Sequence, residues 1–180
     1  MRRIKSRNFM LIVCGVFFFC VIIFGIFTGM FRIVDKLNKN QDIYSNIVYL
    51  SSNVEVSGNG NFVEHTPKIS GTSIENFNVK LGSINDSVKY TIKLCNMNED
   101  DLIIREISSD NVSCSDGIND ISCDSIEVKG YVEGISSSSK FKGGECINFI
   151  VEAKYVDSLN KDTYLFINKY NMELENLNDN

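Results

Sequence analysis

The chain predicts an all-β protein: a single antiparallel β-sandwich preceded by one N-terminal transmembrane helix. Three observations carry this. Phe9 to Phe31 is a run of twenty-three residues without a charge. Beyond it, short segments alternate apolar and polar side chains with period two and are separated by Gly-, Asn-, Asp- and Ser-rich clusters. The composition also disfavours helices, since Ala153 is the only alanine and β-branched residues abound.

The apolar run comes first. At about 1.5 Å per residue it would span roughly 35 Å as a helix, enough for a hydrocarbon core of about 30 Å. A cleavable signal has a shorter apolar region of roughly 7–15 residues and a small-residue cleavage site. Here the run continues through Phe24, Phe27 and Phe31. Bulky Val13 before Cys14, and three phenylalanines before Cys20, argue against a lipoprotein signal. Arg2, Arg3, Lys5 and Arg7 precede the run, whereas Arg32, Lys36 and Lys39 follow it with Asp35 between. The excess of basic residues on the first flank predicts a cytoplasmic N-terminus and an extracytoplasmic C-terminal region. The expected division is a basic tail over 1–8, a bilayer-embedded anchor over 9–31, a polar stem over 32–46, a sandwich over 47–175 and a frayed tail over 176–180. The expected location is the cell membrane, single-pass.

Each strand has its own signal. Ile47–Leu50 and Val54–Val56 lead into the turn cluster 57–61. Phe77–Leu81 alternates and stops at Gly82. Val88–Leu94 is the clearest segment, with Val88, Tyr90, Ile92 and Leu94 on one face. Leu102–Ile107 follows the polar turn 96–101, and Ile126–Val132 alternates before a serine-rich loop. Cys146–Tyr155 places Ile147, Phe149, Val151, Ala153 and Tyr155 on one face, and Thr163–Tyr170 is the last strong strand. The expected core contains Tyr90, Ile92, Phe149, Val151 and Phe166.

Charge narrows the function classes. All twenty-three acidic residues lie beyond Arg32, against thirteen of the eighteen basic ones, a net of −10. Nucleic-acid binding needs clustered cations, so no nucleic-acid partner is expected. The abundance of Asn, Ile, Lys, Phe and Tyr fits AT-rich codons and a low-GC bacterial host.

Asn85-Asp86-Ser87-Val88-Lys89-Tyr90-Thr91-Ile92-Lys93-Leu94-Cys95-Asn96 resembles the G-D-S-V-x-Y-T-I-x-V-x-N strand of Ig-like repeats in bacterial cell-surface proteins. Gly143-Gly144-Glu145-Cys146-Ile147-Asn148-Phe149 is similar to the G-E-S-x-x-x-F strand that pairs with it. The likeness is loosely shared with TasA-like matrix fibre proteins of Gram-positive bacteria. It covers at most Ser73 to about Asn171, and Asn85 stands where the family has glycine. The resemblance implies an Ig-like sandwich and a structural or adhesive surface role, and it brings no catalytic residues.

Four cysteines follow the anchor: Cys95, Cys114, Cys123 and Cys146. Outside a membrane an even number suggests disulfides, with three connectivities open. Cys95 and Cys146 both have outward parity on their strands. If those strands are antiparallel neighbours, as the resemblance implies, Cys95–Cys146 is a cross-strand bridge. Cys114 and Cys123 flank a Gly-containing loop and would clip it locally.

The remaining constellations are weaker. Asp110, Asp116, Asp120 and Asp124 offer hard oxygen ligands, but their register is not that of an EF-hand, and they read as a solvated acidic loop. His65 is the only histidine and sits before Pro67 in a loop, so a histidine-based triad has little to build on. No P-loop, G-x-G-x-x-G or H-E-x-x-H occurs. The expectation is a non-enzyme without cofactor or metal. It would hold the bilayer through its N-terminal helix and meet a protein or cell-wall partner through loops or a sheet edge. Two other classes compete. A pilin-like or secretion-apparatus subunit would have an acid early in the apolar run, and none occurs before Asp35. A tethered extracellular enzyme would need a polar pocket gathering carboxylates near His65.

Overall fold

The computed structural model describes residues 22–26, 43–135 and 139–177. The chain divides into two units, 1–42 and 43–180. In the first, 22–26 is helical, and the rest of the expected span over Phe9–Phe31 lies outside the described residues. Among the described residues no helix is long and apolar enough to cross a membrane.

The second unit is antiparallel β throughout. A helical turn at 43–45 leads into β1 (Ile47–Ser57). The remaining strands are β2 (Asn61–Phe62), β3 (Lys68–Ser70), β4 (Ser73–Leu81), β5 (Ser87–Asn96), β6 (Leu102–Ser115), β7 (Asp120–Ile121), β8 (Ile126–Val132), β9 (Lys140–Phe141), β10 (Cys146–Tyr155) and β11 (Thr163–Asn176). One sheet has the order β1-β5-β10-β8. The other runs β2-β4-β11-β6-β7, with β3 also on β4 and β9 also on β6. The two runs expected at Ile47–Leu50 and Val54–Val56 are one strand, interrupted only by a bulge at Leu50.

The sheets meet through one apolar core. Val88, Tyr90, Ile92 and Leu94 of β5 and Phe149, Val151 and Ala153 of β10 are buried against Phe77, Val79, Leu165, Ile167, Tyr170 and Met172 of the other sheet. Ring contacts cross the interface from Phe62 to Tyr90 and from Phe149 to Tyr170. Gly130 of β8 lies against Tyr170 and Ile107 of the other sheet. A Cβ there would collide with the Tyr170 ring and with Ile107. Replacing Gly130 with alanine is expected to cost about 1–3 kcal/mol by overpacking, read in a denaturant titration.

Phe166, expected in the core, is only half-buried, and its neighbours Leu165 and Ile167 point inward instead. The reason is a line across the second sheet where facing reverses. Odd residues of β11 are inward up to Ile167, and even residues from Tyr170 onward. The pairing on either side sets Asn168 opposite Asn76 of β4 and Asn111 of β6. Asn76 and Asn111 have φ of 57° and 52°, a left-handed conformation that asparagine tolerates better than branched residues. Asn76→Val should therefore destabilise by about 1–3 kcal/mol while Asn76→Gly is tolerated, a contrast that thermal unfolding of the two variants checks.

Candidate interaction surface

The four cysteines form two bridges. Cys95 and Cys146 stand directly opposite each other on β5 and β10, 4.0 Å apart at Cα. Cys114 and Cys123, 5.3 Å apart, close the loop between β6 and the start of β8.

Beside the first bridge lies a polar knot. Asn96 is fully buried, and its amide donates to the carbonyls of Asp100 and Phe141. Its side-chain oxygen accepts from the backbone N–H and the amide of Asn98. Asn98 in turn reaches Ile43 and Asn46 at the lead-in to β1. All four hydrogen-bonding positions of the Asn96 side chain are thus used, as a buried amide requires. The bridge and the knot fasten the lead-in to the end of β5.

The opposite end is fastened by Asp86, which is 1% exposed. Its Oδ1 accepts the Asn59 N–H (2.8 Å) and the Ser83 hydroxyl (2.9 Å). Its Oδ2 accepts the N–H groups of Gly82 (2.8 Å) and Ser83 (2.9 Å). Burial alone would raise this carboxyl, but the donors from Asn59, Gly82 and Ser83 outweigh it and hold its pKa below the usual value. Gly58, at φ 64°, and Gly60 pack tightly against Asp86 and Ser87 respectively. The sequence names Asp86 only as part of the strand motif that resembles Ig-like repeats and gives it no role of its own. The available signal was an aspartate in a turn directly before a strand, with Gly58, Gly60 and Gly82 available to approach it closely.

The acidic loop is organised by its own backbone. Asp116 accepts the N–H groups of Ile118 and Asn119 and pairs with Lys161 at 3.3 Å. The N–H of Asn119 first, then that of Ile118 and the Lys161 ammonium, lower the Asp116 pKa. Among the described residues no three of His, Cys, Asp or Glu gather in a way that could hold a metal ion. His65 is exposed in the loop before β3.

What distinguishes the surface is β1. Ten of its eleven residues are exposed, although it is paired to β5 along its whole length. Tyr49, Val54 and Val56 lie opposite Leu94, Tyr90 and Val88, so they face the core side of the sheet. Yet they are 43%, 38% and 50% exposed, and none of them joins the buried core that the two sheets share. The outer face of the same sheet is a shallow polar groove lined by Ser51, Asn53, Glu55, Lys89, Lys93 and Asn148. Glu55 is paired with Lys89 there, at 3.4 Å. A strand with one neighbour, no proline, no lysine and a bare apolar face is an open template for another strand. Comparison with protein-family models, with characterised proteins and with solved structures found no match to this chain.

Proposed function

We propose that this chain is a membrane-anchored extracytoplasmic module with a structural or protein-interaction role at a bacterial cell surface. Its sandwich would be Ig-like, and β1 would be its contact edge. The observation that carries the reading is the exposed apolar strip of β1 on an otherwise acidic β body. Natural sheets protect their edges, so a long bare one marks a place where something binds. Two further features support the location: the uncharged Phe9–Phe31 run with its basic flank, and two disulfides of a kind that persist in oxidising compartments.

The test has two parts. Cells producing the full chain are quenched with acid and alkylated without reduction. Cys95, Cys114, Cys123 and Cys146 should resist the reagent, and four reactive thiols would overturn the extracytoplasmic reading. A photoreactive residue at Asn53 on β1 should capture a protein in living cells, whereas one at Ser83 should not. Equal, unspecific labelling from both positions would overturn the interaction reading.

A further inference from the structure

The edges of the two sheets are not alike. On β8 the free side is occupied at both ends and crowded in the middle: the Ile126 N–H donates to the Cys123 carbonyl, the Val132 carbonyl accepts from the Ile135 N–H, and the Tyr170 ring lies against Gly130. In the second sheet β4 is flanked by β2 and β3, whereas β9 and β7 cover only the two ends of β6, at 102–103 and 114–115, and the stretch between carries Arg105, Glu106 and Asp110. Among the described strands β1 is the one that combines a free edge along its whole length with a single charge and a bare apolar strip.

Its open groups can be assigned. The Asn96 N–H donates to the Glu145 carbonyl, so β5 residues of even number turn their backbone groups towards β10. The odd residues Lys93, Thr91 and Lys89 therefore bond to Ser51, Asn53 and Glu55 of β1. That leaves the N–H and C=O groups of Ser52, Val54 and Val56 directed outward. The side chains of the two valines are the exposed apolar ones on the core side.

We propose that β1 is a self-association edge, on which a second copy of this chain pairs its own β1 antiparallel about a two-fold axis at Val54, joining two four-stranded sheets into one of eight. This rests on the interaction reading above and names the partner. An isologous contact places one patch against itself, so it suits only a strip that tolerates its own chemistry. With Val54 opposite Val54, Ser52 stands opposite Val56 and Asn53 opposite Glu55. The core-side valines then cover each other. The single charge of the strand, Glu55, meets an amide rather than another carboxylate. Elsewhere the body beyond Arg32 carries a net of −10 and repels its own kind, so a neutralised apolar strip is where two copies can approach. Antiparallel pairing also sends residue 43 of the two copies to opposite ends of the joined sheet.

The experiment uses the full chain purified in mild detergent, with p-benzoylphenylalanine at Asn53 and equal parts of ¹⁴N- and ¹⁵N-labelled protein. Cross-links between light and heavy chains should run from position 53 to residues 51–57. Val54→Lys sets two ammonium groups face to face at the axis and should weaken the dimer by about tenfold or more. Both disulfides and the β-type dichroism should be retained, because the side chain is already partly solvated. Ile118→Lys, at the exposed tip between β6 and β7, should leave the dimer unchanged. A monomer at concentrations up to about 0.1 mM, or cross-links landing outside β1, would overturn the proposal. If position 53 in cells captures only a different protein, self-association falls while the interaction reading stands. If it captures nothing in either setting, both fall.

Discussion

Replacing Cys95 and Cys146 together by alanine is expected to cost the β body about 4 kcal/mol of unfolding free energy. The two residues are 51 apart in sequence, and the chain-entropy relation for a loop of that length gives roughly this value. The Cys114–Cys123 bridge closes a separation of only 9, and the same relation gives about 2.6 kcal/mol for its loss. The ranking is therefore set by loop length: the long loop encloses β6, β7, β8 and β9, whereas the short one encloses a single turn and β7. There is a local consequence too. Cys95 adjoins Asn96, whose side chain holds Asn98 and, through it, the lead-in at Ile43 and Asn46. Without the bridge this corner should open first, so hydrogen exchange should accelerate at Met97 and Asn98 before it does at Ile92. Urea titrations of the two double variants check the order. A loss under about 1 kcal/mol for Cys95/Cys146, or the reverse ranking, would show that the bridge merely decorates strands already held by their ladder.

The strands that were legible in the sequence are those whose two faces differ in environment. Val88–Leu94 and Cys146–Tyr155 have a core on one side and water on the other, and their alternation reports it directly. Parity also made the Cys95–Cys146 pairing thinkable, once a resemblance had made the two strands neighbours. Parity failed at Phe166, because the reversal at Asn168 is a property of three strands in register. Asn76 and Asn111 lie far from it in sequence. It was silent about β1 for a different reason. Alternation says which side chains share a face, but not whether a second sheet reaches over that face. Val54 and Val56 share a face with the core residues Tyr90 and Val88 and are nonetheless exposed. Asp86 was illegible because a buried, four-donor carboxylate and a solvated turn aspartate are the same letter. The difference lies in Asn59, which is 27 residues away and whose N–H only the folded chain brings within 2.8 Å.

Asp86 is where the second large effect should appear. Asp86→Ala strips four hydrogen bonds from an ionised acceptor and leaves the N–H groups of Asn59, Gly82 and Ser83 to find water in a tight corner. A loss of about 2–4 kcal/mol is expected, since hydrogen bonds to charged groups contribute about 1.5–3 kcal/mol each before relaxation and rehydration. Asp86→Asn keeps the shape but sets an amide NH₂ against N–H donors, so it should recover little of that loss. The pH dependence separates the carboxylate from mere packing. Its folded pKa is depressed below the ordinary 3.8, so its contribution is complete above the unfolded value and disappears as pH falls through the folded one. Wild-type stability should therefore fall below about pH 4 more steeply than that of Asp86→Asn, and the two curves should converge towards about pH 2. Denaturant titrations at stepped pH would measure this. Parallel curves over that range would mean that the carboxylate is not the anchor of this corner, and that Gly58 and Gly60 hold it by packing alone.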